Sequence, residues 1–129
     1  MARMTVTGNL VKDCELKFTN SGKAVCEITI ADNYKPNKEA EDQVTFLDVT
    51  LWGTLAENFA ESCHKGNRVF AEGRMQQQNW ETDDGQKRSK IKLIADSAGP
   101  DLRFQKAVLT GTGKRESARP QAAFDEEPW

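Results

Sequence analysis

Val44-Thr45-Phe46-Leu47-Asp48-Val49-Thr50-Leu51-Trp52-Gly53 alternates with a period of two and is rich in β-branched and aromatic residues, which predicts a β-strand. One face carries Thr45, Leu47, Val49 and Leu51 and reads as mostly core. The other carries Val44, Phe46, Asp48, Thr50 and Trp52, so two large aromatics share a side that an aspartate and a threonine mark as wet. A strand that had only to fold gains nothing from Phe and Trp there. Either another sheet, a helix or a second subunit covers this face, or a flat ligand such as a nucleobase stacks on it.

Working outward, a first strand region is predicted from Met4 to Phe18, with Gly8 as a bend, and Thr19-Asn20-Ser21-Gly22-Lys23 as a hairpin turn. A second strand, Ala24 to Ala31, puts Ala24, Cys26, Ile28 and Ile30 inward. A polar loop from Tyr34 to Asp42 leads into the opening strand. Beyond Gly53 the period lengthens. Thr54-Leu55-Ala56-Glu57 reads as a capping box, Leu55, Phe59 and Cys63 form one apolar helical stripe, and Gly66 suits a left-handed helix end. Further strands are predicted over Arg68–Trp80 and Lys87–Ala95, joined by the turn Thr82-Asp83-Asp84-Gly85-Gln86. Strand, strand, strand, helix, strand, strand is the element order of an OB-fold. The expected class is all-β with one short helix: a five-stranded OB-fold barrel over residues 1–104, a flexible linker over 105–123 and a disordered acidic tail over 124–129.

The composition supports a modest domain and rules against several chemistries. At 129 residues, with 37% hydrophobic and 29% charged, the chain fits one core plus an appendage. It has no apolar run approaching a transmembrane helix and no apolar leader, so the expectation is a cytoplasmic protein with no membrane partner. Cys14, Cys26 and Cys63 are too widely spaced for a disulfide framework or a metal half-site, and are expected as small core or interface residues of a reduced compartment. His64 is the single histidine, and no convergent carboxylate pair accompanies it. No metal, no cofactor and no enzymatic reaction are expected. The formal net charge of −2 argues mildly against nucleic acid, because phosphate contacts supply much of that affinity; the distribution of charge decides more than its sum.

Two constellations carry the functional reading. Trp80 has the same strand parity as Arg74, and Tyr34 opens the loop holding Lys35 and Lys38. Tyr34, Phe46, Trp52 and Trp80 thus make a track of candidate stacking residues, each stack contributing on the order of 1–3 kcal/mol. Lys23, Lys35, Lys38, Arg74, Lys87 and Arg88 are the candidate phosphate contacts, each alone readable as a solvated charge. Phe70 is expected to pack rather than touch a base. The second constellation is Phe124-Asp125-Glu126-Glu127-Pro128-Trp129, where acidic residues lead to a terminal indole that a basic-rimmed apolar pocket on another protein could capture.

With Gly8-Asn9-Leu10, Leu51-Trp52-Gly53, Leu55-Ala56-Glu57, Lys65-Gly66-Asn67-Arg68-Val69, Glu72-Gly73 and Trp80, the chain resembles the bacterial single-stranded DNA-binding protein family over about residues 3–104 and its last six. The resemblance implies a homotetramer that wraps single-stranded DNA in the bacterial cytoplasm or nucleoid, with a phage or plasmid origin equally compatible. It also implies an acidic tail that recruits replication, recombination and repair proteins. The sequence departs from the family's pattern in four places. Gln76-Gln77-Gln78-Asn79 stands where basic residues commonly precede Trp80, which should weaken the electrostatic share of binding. The tail ends in Pro128-Trp129 rather than Pro-Phe, and the linker is short. Leu47 and Asp48 replace a histidine and an arginine near the subunit interface, so the oligomeric state is less firmly implied. The alternatives are an OB-fold protein-interaction module and an RNA-binding accessory factor.

Overall fold

The computed structural model describes residues 1–111. The linker from residue 112 onward and the Phe124–Trp129 tail lie outside the described residues. Seven elements follow in order: β1 (Arg3–Leu10), β2 (Lys17–Phe18), β3 (Ala24–Tyr34), β4 (Gln43–Trp52), α1 (Thr54–Ser62), β5 (Arg68–Glu81) and β6 (Lys87–Pro100). The strands lie side by side as β1-β5-β6-β4-β3-β2, and β1 also pairs with β3 through Asn9↔Ala31 and Leu10↔Ile30. That last pairing closes β1, β3, β4, β5 and β6 into a five-stranded ring, the OB-fold barrel expected from the element order. All pairings are antiparallel except β4 with β6, where Val49 faces Leu93.

The alternation that predicted the strands also fills the barrel. Ala24, Cys26, Ile28 and Ile30 from β3, Val49 and Leu51 from β4, Val69 and Ala71 from β5, and Leu93 from β6 are all buried. Burying a side chain such as Leu51 or Ile28 contributes about 1.5–3 kcal/mol. α1 plugs one end of the ring with Ala56 and Phe59, and Cys63 follows directly behind them in the core. Gly8 lies where β1 passes from β5 to β3. A Cβ there would sit 2.3 Å from the Ala31 carbonyl oxygen, so the residue permits a close backbone approach.

Several expectations are corrected. The first strand region is two strands, and it breaks at residues 11–16 rather than at Gly8, which stays in unbroken pairing with Val69. The capping box does not form: the N-cap is Gly53, which makes no side-chain cap bond, and Thr54 is already helical. Gly66 does not end the helix either. It supplies a positive φ of 90° in the following turn, where the Asn67 amide donates to the His64 carbonyl. Cys14 and Cys26 are joined as a disulfide, against the expectation of none, because the β2–β3 pairing folds the 11–16 segment back beside β3. Cys63 stays a free, buried thiol, and burial pushes its pKa up.

β3 and β6 run longer than predicted. The β3–β4 and β5–β6 hairpins project past the ring as two-stranded ribbons, so Thr45 is exposed despite its inward parity. At the other end, Arg68 Nε donates to Asp101 Oδ2 at 2.7 Å, and its guanidinium lies 5.8 Å from the Phe104 ring centre. The Gln105 side-chain amide donates to the carbonyls of Arg68 and Asp101. These contacts fasten the chain to the start of β5 as it leaves the barrel. The hydrogen bond from Arg68 holds the Asp101 carboxyl below the usual carboxylate range.

Candidate nucleic-acid interface

The register of β3, β4, β5 and β6 assembles one outward sheet face. On β4 it carries Phe46, Asp48, Thr50 and Trp52, and directly opposite on β3 stand Ala31, Thr29, Glu27 and Val25. On β6 the series Arg88, Lys90, Lys92 and Ile94 faces Trp80, Gln78, Gln76 and Arg74 of β5. Cross-strand partners point to the same side, so three of the four predicted aromatics share one surface.

These rings are uncovered: Phe46 is 63% exposed, Trp80 48% and Trp52 38%. The small neighbour Ala31 leaves the Phe46 ring open, whereas Val25 beside Trp52 and the ammonium of Lys23, 5.0 Å from the indole centre, account for its lower exposure. Phe46 and Trp52 are separated by six residues, roughly 20 Å of extended strand. Tyr34 is 58% exposed but has the parity of Cys26, Ile28 and Ile30, the inward series, and it ends β3 out on the hairpin ribbon. The structure does not place it on the same face as the other three. Phe70 is half-buried, with its ring 3.5 Å from the position a Gly99 side chain would occupy, in keeping with packing.

The predicted basic residues divide. Lys23 stands over Trp52, and Lys87 and Arg88 line an open groove with Trp80 and Asn79. Arg88 donates to the Gln86 side chain at 2.9 Å. Arg74 is exposed on the same face as Trp80, beside Arg3 of β1. Lys35 and Lys38 lie in the 35–42 connection beyond the ribbon. Thr50, expected to be wet, is 2% exposed, because β4 has a neighbouring strand on each side there; its Oγ1 has no hydrogen-bond partner among the described residues.

Two residues were missed in the sequence: Lys90 and Lys92. They stand opposite Gln78 and Gln76, so β6 supplies positive charge where β5 has only amides. The signal was available in the alternation of Arg88, Lys90 and Lys92 with Ser89, Ile91 and Leu93. Neither ammonium is free. Lys90 is ion-paired to Asp48, and Lys92 stands 4.0 Å from Glu27. Partial burial pushes the Asp48 carboxyl up, but the Lys90 ammonium and a 2.9 Å hydrogen bond from the Thr29 hydroxyl outweigh it and leave it below the usual carboxylate range. The same pairing pushes the Lys90 pKa up.

Chemically, the face offers rings for stacking, ammonium and guanidinium groups for anions, and side-chain amides for hydrogen bonds. Residues 1–102 match the single-strand binding protein family. The chain belongs to that family. Among its relatives, the single-stranded DNA-binding protein of Corynebacterium glutamicum is 45% identical over 114 residues, which cover 84% of this chain and 51% of that one. The chain therefore spans about half the length of that relative. The proteins of the same name from Paenarthrobacter aurescens and Mycobacterium tuberculosis are 36% and 35% identical, over 98% of this chain and 84% and 85% of theirs. Among the described residues, no helix of this family member is long and apolar enough to cross a membrane.

Proposed function

We propose that this protein binds single-stranded DNA with little sequence preference, coating and protecting it by base stacking on Phe46, Trp52 and Trp80. Tyr34 extends the track from the hairpin ribbon, and Lys23, Lys35, Lys38, Arg74, Lys87 and Arg88 contact phosphates. The observation that carries the reading is the set of uncovered rings with basic side chains beside them on one sheet face, in a chain of the single-strand binding protein family. Stacking tolerates any base, because every base offers a π-face, and it fails on a duplex, whose bases already stack on each other.

The assembly is a homo-oligomer, by the family resemblance a tetramer, acting in the bacterial cytoplasm. It binds rather than transforms its ligand. The acidic Phe124–Trp129 tail recruits replication, recombination and repair proteins through its indole and carboxylates.

Titration with oligo-dT tests the reading. Tryptophan fluorescence is expected to fall strongly on binding, and Trp52→Ala combined with Trp80→Ala to remove most of the affinity, at about 1–3 kcal/mol for each ring. Equal affinity for duplex DNA would contradict it. A preference for RNA of the same sequence would favour an RNA-binding role instead.

A further inference from the structure

Lys90 lies in the middle of the candidate face, one alternation from the Trp80–Arg88 pair and across from Gln78. It is well placed for a phosphate passing between Phe46 and Trp80, yet Asp48 holds it. The two partners are unequal. Asp48 is largely covered and accepts the Thr29 hydroxyl at 2.9 Å, so leaving its place would break a second bond. Lys90 rises on a half-exposed, flexible stem. Glu27, reached by Lys92 across β4, is mostly exposed and stands 4.0 Å from its ammonium, a looser contact that gives way more readily.

Resting on the DNA-binding reading, we propose that Asp48 withholds Lys90 from the phosphates and so limits affinity. The carboxylate competes with DNA for this ammonium, and the face binds with one phosphate contact fewer than its basic residues offer. Gln76 and Gln78 cannot replace that charge, which makes the Asp48–Lys90 pair the setting point for the electrostatic share of binding at the centre of the face.

The test is the salt dependence of oligo-dT binding by the full chain, read by tryptophan fluorescence. Each phosphate contact on a single strand adds about 0.7 to the slope of log affinity against log salt. Asp48→Asn keeps an acceptor for Thr29 and is expected to bind more tightly, with a slope steeper by about 0.7; between about 50 and 200 mM salt it then loses about 2.6-fold more affinity than the parent. Lys90→Gln is expected to bind more weakly, since it leaves Asp48 unpaired, but with an unchanged slope. The double substitution is expected to return the slope to the parent value.

An Asp48→Asn slope equal to the parent's overturns the proposal. So does a Lys90→Gln slope shallower by about 0.7, which would mean that Lys90 already contacts DNA. Lys90→Gln alters a half-exposed side chain, so its slope decides the matter even if Asp48→Asn folds poorly. Failure of the parent protein to bind oligo-dT would instead remove the DNA-binding reading itself.

Discussion

Asp48 is bound by two partners that the unfolded chain lacks, the Thr29 hydroxyl and the Lys90 ammonium. Its folded pKa is therefore lowered from the ordinary 3.8. The sign follows from linkage: stability is complete above the unfolded value and fades as pH falls through the folded one. Asp101, held by Arg68, acts in the same direction. Thermal unfolding followed by circular dichroism is expected at a lower temperature near about pH 3 than near about pH 6. Asp48→Asn is expected to narrow that gap, and an unchanged gap would show that the carboxylate adds no linked stability. At this scale the sequence was legible where a residue's role depends on its own strand. The alternation of β4 separated Phe46 and Trp52 from Val49 and Leu51. It did not reveal that Asp48 meets Lys90, because that contact depends on a parallel pairing between strands joined through a helix and a third strand. Thr50 was misread for the same reason, since its burial comes from neighbours on both sides.

Apart from β2, the elements were predicted in type and order, and β4 was predicted at both ends; the C-terminal ends of β1, β3, α1 and β6 were not. Alternation continues for as long as a ribbon is regular, whether or not a core lies beneath it, so nothing local marks where β3 or β6 leaves the barrel. Tyr34 illustrates the cost: its inward parity placed it off the common face only once β3 was seen to run through it. The cysteines illustrate another limit. Cys14 lies in a segment without regular pairing, and its approach to Cys26, 6.2 Å between Cα atoms, is a product of the β2–β3 hairpin. That bridge closes a short loop with a sequence separation of 12. A chain-entropy estimate for so small a loop is up to about 3 kcal/mol. Cys14→Ser is expected to lower the unfolding temperature in oxidising buffer and to have little effect in dithiothreitol. Equal losses in both buffers would mean that packing of the sulfur, rather than the bond, supplies the stability.

At the scale of the whole molecule, the proposed function divides the work between the barrel and the sequence beyond it. The family match ends at residue 102, and Asp101, Phe104 and Gln105 fasten the chain to Arg68 just there. That fastening was not legible in the sequence, because it joins residues far apart along the chain. Under the proposed function, deleting Phe124 to Trp129 is expected to leave oligo-dT affinity intact or slightly raised while abolishing pull-down of replication and repair proteins. Loss of DNA binding in that deletion would count against a separate docking role for the tail.

The rings of the candidate face stand on unlike supports. Trp52 sits on the barrel wall, where β3 flanks β4 and α1 begins two residues later, whereas Trp80 is carried by a ribbon in which only β5 and β6 hold each other. Two-stranded ribbons twist more than closed sheets. A surface with one end fixed and the other on a springy arm is a poor ruler. Under the proposed function, the number of nucleotides it spans would depend on how far the arm bends, and the footprint on DNA would be set by the stiffness of a hairpin as much as by the spacing of the rings.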